Sequence, residues 1–327
     1  MTKFASGSVS SIDVVSVGGL CIDIVLKVDR FPGHDEKVAS ELIGNLPGGP
    51  QPNFACAAST LGLSVRTLSH IGTDEYGEIV KADMEKYDVD TQCVETVPGA
   101  TIATIILLDP TGEKAIIVMP NEKTAYQPEL VEVALSNVNY MYIWPEPRES
   151  FIELATIAQS KSIQVMIDVE DTACEGSDFL EQVLPHTSIA SFNFDGYRAA
   201  TGFDSVDFGA MKNLLEYGPH TIVVTHGRDG AYAVTADDAV RHNGYNVPVV
   251  DSTGAGDTFN AAFLTSTIAD YSLEKRIEFA CAAGAISVTG PDSNTHLRDH
   301  ETRHDLESRL LLEKNRGGGV GGGGGGG

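Results

Sequence analysis

The sequence predicts an α/β protein in which a central, mostly parallel sheet is flanked by helices and a small second β-sheet stands over it as a lid. Three observations carry this. From about residue 124 to 290, short β-like runs alternate with helix-patterned stretches, the rhythm of strand–helix–strand crossovers. In the first 120 residues apolar runs instead flank a turn signal, as in a hairpin. All of these runs are short, and none approaches the ~18 apolar residues of a membrane span.

The elements follow in order. VVSVGG (14–19) reads as the opening strand, and IDIVLKV (22–28) and KVASELIGNL (37–46) as the next two β-like runs. PNFACAASTLGL (52–63) and YGEIVKADMEKY (76–87) have helical patterning and belong to the main body. TIATIILLD (101–109) and EKAIIVMP (113–120) flank Asp109-Pro110-Thr111-Gly112, a hairpin turn. Together these runs predict a small antiparallel sheet inserted from about 22–46 and 99–120. Ligands of parallel sheets bind beyond the carboxyl ends of the strands, so a sheet standing there acts as a lid. Downstream, YMYIW (140–144), IQVMID (163–168), SIASFN (188–193) and TIVVTH (221–226) are strands, with SFIELATIAQSK and FGAMKNLLEY as helices between them. A single domain over 12–312 is expected. Residues 313–327 form a flexible Gly-rich tail, since Gly317–Gly327 is glycine broken only by Val320 and cannot build a core.

Charge narrows the function. The 46 acidic residues against 22 basic ones give a net charge of −24, which repels phosphate backbones and anionic membrane surfaces. Nucleic-acid and membrane partners are therefore not expected, while a small anion held by backbone amides and Mg²⁺ still is. The five cysteines (Cys21, Cys56, Cys93, Cys174, Cys281) are odd in number, widely spaced and without a CxxC pair, against a disulfide framework or a zinc site. MTKFASGSVSSIDVV at the start lacks the apolar stretch of a signal peptide, so the cytoplasm is the expected location.

The chemistry concentrates in VVDSTGAGDTFNAAFLTSTIAD (249–270). A strand ending near Val250 leads through a glycine turn into a helix expected to begin at about Asp257 or Thr258. Gly254 and Gly256 let successive N–H groups point into one concavity, and with a helix N-terminus behind them they form an anion site. A carboxylate at 257 repels an anion, but it suits a base that takes the proton of a hydroxyl attacking a phosphate. It equally suits a helix cap. No GxxxxGK[ST], HExxH or GxSxG occurs.

LPGGPQPNFACAASTLG (46–62), followed some two hundred residues later by DSTGAGDTF, resembles the paired signatures of the ribokinase-like (phosphofructokinase-B type) carbohydrate kinases. The similarity runs from Val14 to about Pro291, with GLCIDIVLKVDRFP, HIGTDEYG and VTHGRDG in family-like positions. It implies a ribokinase-like core with a β lid, ATP as donor, Mg²⁺ as partner, and phosphorylation of a hydroxyl on a small sugar or sugar-like substrate. By the resemblance Asp257 is the base, and Gly254, Ala255 and Gly256 form the anion hole. Asp23 and Asn53 match substrate-holding residues, although a turn residue and a capping residue account for them as well. Gly48 and Gly49 match a hinge pair below the lid, where backbone freedom is needed. Glu146 matches a substrate-contacting acid, and Trp144 reads as core or pocket wall. Asn193, Thr225, Gly227 and Gly230 match the nucleotide side, the last three also reading as a strand-ending turn. Asp251 and Thr253 resemble a monovalent-cation loop, whose oxygens suit K⁺.

The sequence departs from the family in three places. Gly196 stands where relatives carry a glutamate three places after the asparagine. Asp195, Glu170 or Asp171 are candidates to compensate for that glutamate, and Asp168-Val-Glu170-Asp171-Thr172 likewise replaces D-x-N-x-R. Pro50 and Pro52 follow the glycine pair, where a first helical turn tolerates them. A nucleoside kinase of the same fold and a non-catalytic ligand-sensing relative are the alternative functions. The lid's acidity, without an Arg/Lys cluster, points away from a phosphorylated substrate. The apolar run Ile102–Leu108 suggests a homodimer formed through the lids.

Overall fold

The computed structural model describes residues 11–111, 113–120, 125–174 and 178–290, so the last part of the expected domain (291–312) and the 313–327 tail lie outside the described residues. The chain opens with β1 (Ile12–Val17), β2 (Cys21–Val28), β3 (Ser40–Gly48), α1 (Pro50–Thr60), β4 (Val65–Ile71), α2 (Glu75–Lys86) and β5 (Asp90–Thr96). The hairpin β6 (Ile102–Leu108) and β7 (Lys114–Met119) follows. Helices and strands then alternate: α3 (Pro128–Ala134), β8 (Val138–Ile143), α4 (Arg148–Ser160), β9 (Gln164–Val169), α5 (Phe179–Val183), β10 (Ile189–Asn193), α6 (Phe194–Thr201), α7 (Phe208–Leu214) and β11 (Thr221–Thr225). β12 (Ala231–Val234), β13 (Ala239–His242), α8 (Ala255–Ile268) and α9 (Leu273–Ser287) complete it.

Nine strands form the main sheet in the order β13-β12-β11-β10-β9-β8-β1-β4-β5, parallel from β11 to β5 and antiparallel at β12 and β13. Its strands bury both faces, with side chains alternating between two cores. Met166, Ile189 and Val223 point to one core, and Val165, Ala190 and Ile222 to the other. β4 has no apolar run because its interior carries Arg66, Thr67, Ser69 and His70, all buried. The Arg66 guanidinium is satisfied by Asp90 at 2.9 Å and by the Val133 carbonyl at 2.9 Å, as burial of a charge requires. β12 and β13, four residues each, are too short to show a period.

The lid is a four-stranded sheet in the order β3-β2-β6-β7. The expectation of a purely antiparallel sheet is corrected here: β2 and β6 pair in parallel, while β2–β3 and β6–β7 are antiparallel. The reason lies in the connections. β2 follows β1 and β6 follows β5, and these two strands run the same way in the main sheet, so their continuations rise side by side in one direction. The lid's apolar surface also differs from expectation. β6 is half-buried inside the sheet, whereas the exposed apolar residues are on the edge strands: Leu42, Ile43 and Leu46 on β3, and Ile116, Ile117, Val118 and Met119 on β7. Among the described residues, no helix is long and apolar enough to cross a membrane.

Candidate active site

The lid overhangs a cleft of about 840 Å³ at the carboxyl ends of the parallel strands, where open α/β sheets bind ligands. β9 ends there with Asp168, β10 with Ser191 and Asn193, and β11 with Thr225, while the start of α8 supplies Gly254, Gly256, Asp257 and Asn260. From above, the lid presents Asp23, Thr104, Ile106, Lys114 and Ile116.

α8 begins at Ala255, two residues before the position expected from sequence, with Gly254 as its N-cap in the left-handed region (φ 73°) and no side-chain cap. A residue with a Cβ is strained at that φ, so glycine sets the sharp entry to the helix. The first-turn amides of a helix have no intrahelical acceptor, and here Gly254, Gly256 and Asp257 line the cleft. Ala255 N is partly spent on the Ser252 carbonyl at 3.3 Å, so the amides after it are the better placed. Asp257, inside the first turn, does not cap the helix. Its Oδ2 accepts from Asn53 Nδ2 at 3.0 Å, and the side chain is 8% exposed. This geometry disposes of the capping alternative.

Asn53 comes from the first turn of α1, whose Pro50 opens the helix at a position where no N–H is needed. Beneath it, Phe54 stacks on Tyr142 with ring centroids 3.6 Å apart. The Tyr142 hydroxyl lies 3.4 Å from Asp168 Oδ2 and from Asn260 Nδ2, and Asn260 Oδ1 accepts from Ser191 Oγ at 2.6 Å. Asn260, one turn beyond Asp257 on the same helix face, thus ties α8 to β8 and β10. That i, i+3 spacing was legible in the sequence, but its partners on other strands were not.

Carboxylates accumulate in the cleft. Burial pushes Asp257 well above the usual range, and the negative charges of Asp168 and Glu170 push it further, against the lowering effect of the Asn53 bond. Asp168 is raised to about 7, chiefly by burial and then by Glu170. Glu170 is raised by burial and by Asp171. The expected hinge pair, Gly48 and Gly49, also has a geometric reason to be glycine. A Cβ on Gly48 would meet Asp23 Oδ2 at 2.0 Å, so glycine is what lets the Asp23 carboxylate lie against the end of β3, and Gly49 has φ 101°. Burial raises Asp23, and bonds from the Cys21 thiol and the Thr104 hydroxyl and the pull of Lys114 oppose it.

On the side expected to take the nucleotide, Asn193, Thr225 and Gly227 line the cleft, and Phe194 stacks on His226 with centroids 4.2 Å apart. Asn193 Oδ1 caps α6 by accepting from Gly196 N at 2.7 Å. A Cβ at 196 would stand 2.2 Å from the Val169 carbonyl, so this backbone has no room for the glutamate that the resemblance leads one to expect there. Glu170 and Asp195 line the cleft nearby, and Asp171 is not among the lining residues.

Four expected site residues are placed differently. Glu146 does not reach the cleft: its carboxylate is engaged by Arg148, with Nε at 3.0 Å and the backbone N–H at 2.8 Å, in a separate cavity with Thr172, Asp178 and Gln182. Gly230 shapes the cleft without lining it. At φ 89°, its missing Cβ would fall 2.0 Å from the His242 carbonyl. The Asp251 and Thr253 oxygens, expected to suit K⁺, are occupied by the Lys114 ammonium from β7, at 3.0 Å and 2.8 Å. Trp144 lies in a neighbouring cavity with Gln51, His70 and Tyr126. Lys114, Ser191 and Asn260 are parts of this cleft that the sequence did not mark, and Asp168 stood out only as the head of an altered motif. Lys114 is the only basic residue in the 102–119 hairpin, which was the one available signal.

Comparison with known proteins agrees with this fold. The family model of the pfkB family carbohydrate kinases matches residues 11–299. The chain is 27% identical over 276 residues to the ATP-dependent ribose-1-phosphate kinase of Halopiger xanaduensis, covering 84% of this chain and 91% of that protein. It is 25% identical over 280 residues to the ribokinase of Bacillus subtilis, covering 84% and 92%. Among solved structures, the ribokinase of Thermotoga maritima superposes with a TM-score of 0.80 at 27% identity, over 93% of this chain and 100% of that one. An Arabidopsis thaliana ribokinase complexed with ribose and ATP has the same fold, with a TM-score of 0.79 at 22% identity over 92% and 99%. With lid, cleft and both signature segments in place, the chain belongs to the pfkB family of carbohydrate kinases.

Proposed function

We propose that this enzyme transfers the γ-phosphoryl group of ATP to a hydroxyl of a small, neutral sugar, with Asp257 as the base. The observation that carries the reading is the buried Asp257 carboxylate, tied by Asn53 and set in the first turn of a helix whose amides open on the same cleft. Asn53 takes Oδ2, so Oδ1 is the oxygen that accepts the proton of the substrate hydroxyl. Asp23 and Asn53 hold the other hydroxyls between lid and core. The amides following Gly254 offset charge developing on the transferred group, and most of the rate comes from this positioning and charge stabilisation. Lid closure keeps water from taking the phosphoryl group.

The donor set suits Mg²⁺ as well as the nucleotide. Asp168, Glu170 and Asp195 offer hard carboxylate oxygens to the cleft. Among the described residues no three His, Cys, Asp or Glu side chains converge on a metal position. When bound, Mg²⁺ neutralises charge on the phosphates. A relative from Escherichia coli described as a putative ribokinase II is solved in complex with ATP and Mg²⁺.

For the substrate, the only cations lining the cleft among the described residues are Lys114 and Arg228, apart from the ionisable His226, and Lys114 is committed to Asp251 and Thr253. That supports a neutral polyol over a sugar phosphate. The test is ADP release with ATP and Mg²⁺ across neutral pentoses and hexoses, sugar phosphates, sugar acids and nucleosides. A neutral sugar is expected to give the highest kcat/KM. A sugar phosphate or nucleoside ahead by a factor of about ten or more would replace this substrate class.

The same lid supports a second proposal, a homodimer. The exposed apolar residues lie on β3 and β7, the two edges of the lid sheet, where unpaired backbone and apolar side chains together favour a second copy.

A further inference from the structure

We infer that Lys114 is the built-in counter-ion of the loop before the anion hole: carried in by the lid, its ammonium holds residues 251–254 in place and makes turnover independent of added monovalent cation. The inference rests on the kinase reading above for its link to turnover, but its structural half does not. Lys114 is the first residue of β7, immediately beyond the hairpin turn. Its Nζ bridges 137 positions of sequence to Asp251 Oδ1 at 3.0 Å, and reaches Thr253 Oγ1 at 2.8 Å. The same Asp251 Oδ1 accepts from Thr253 N at 3.0 Å and from Thr253 Oγ1 at 2.8 Å. That one oxygen therefore knots the turn that delivers the chain to Gly254, the left-handed N-cap of α8.

Left without a counter-ion, the Asp251 carboxylate would stand close to the anion site and repel incoming phosphate. The Thr253 amide and hydroxyl and the Lys114 ammonium all donate to this carboxylate. An ammonium there cancels the charge, and its bonds use oxygens that a K⁺ ion would need. Because Lys114 belongs to the lid, the contact exists only with the lid over the cleft. Lid position and the shape of the anion hole are thereby coupled. The two side chains are 34% and 30% exposed, so the pair contributes little to global stability. Its effect lies in local order and in turnover.

The direct test needs neither ATP nor substrate. Hydrogen exchange is followed in segments 102–119 and 250–257 for the wild type, Lys114→Met and Lys114→Arg, in K⁺ and in tetramethylammonium at equal ionic strength. In Lys114→Met, exchange over 250–257 is expected to be at least ~10-fold faster, and K⁺ is expected to slow it again. Lys114→Arg should stay near wild type, and wild-type exchange should ignore K⁺. In turnover assays, kcat of Lys114→Met should fall and recover partly with K⁺, while the wild type is unaffected by the cation. Wild-type protection or activation by K⁺, or a Lys114→Met loop that exchanges like wild type, overturns the inference. If exchange behaves as expected but no acceptor supports ADP release, the loop role stands and the phosphoryl-transfer reading falls instead.

Discussion

Asp168, Glu170 and Asp257 line the same cleft, and burial makes each of them reluctant to ionise. A base must be ionised to accept a proton, so raising its pKa moves the point at which activity appears to higher pH. In the free enzyme, kcat/KM is therefore expected to climb with pH along a limb lying above the ordinary carboxylate range of about 4. A limb at or below about pH 4 would contradict the burial argument. This environment was not legible in the sequence. Asp257 stood out because it follows two glycines ahead of a helical pattern, but Asp168 sits at the end of an ordinary buried strand. Only the fold brings those two strand-and-helix ends together. Gly48 is a similar case: the sequence justifies it as a hinge, while the structure adds that Asp23 would collide with any side chain there.

At the scale of elements, local patterning told most of the story. β8, β9, β10 and β11 lie where the apolar runs place them, because strands buried on both faces carry continuous apolar sequence. Strands that break that rule, such as β4 with its buried Arg66 and His70, needed tertiary partners to be recognised. The lid hairpin was marked by its turn, but the parallel β2–β6 pairing follows from the main sheet and is invisible locally. The turn from β10 into α6 gives a test at this scale. Gly196 lies against the Val169 carbonyl, and backbone there cannot yield as a flexible side chain would. Gly196→Ala is expected to lower unfolding free energy by ~1–3 kcal/mol in urea titration. A variant as stable as wild type would show that this contact is looser than described.

For the molecule as a whole, the lid serves two surfaces. Its underside closes the cleft through Asp23, Lys114 and Ile116, and its edges expose Leu42, Ile43 and Ile117. A protein with a net charge of −24 resists non-specific association, so a dimer formed against that repulsion needs a specific apolar patch. Light scattering is expected to give a dimer for the wild type and a monomer for the Ile43→Lys, Ile117→Lys double variant, neither residue lining the cleft. A wild-type monomer across a wide concentration range, or a double variant that stays dimeric, would refute the lid interface.

The central claim is that Asp257 takes the proton of the accepting hydroxyl, and Asp257→Asn tests it most directly because amide and carboxylate have nearly the same shape. Substrate-dependent ADP release is to be compared between wild type and variant, with equal thermal unfolding of the two as the control for folding. The account expects the variant to retain nucleotide binding and to lose turnover by at least ~10²-fold. Turnover within about threefold of wild type would contradict it, since general-base catalysis contributes far more than that.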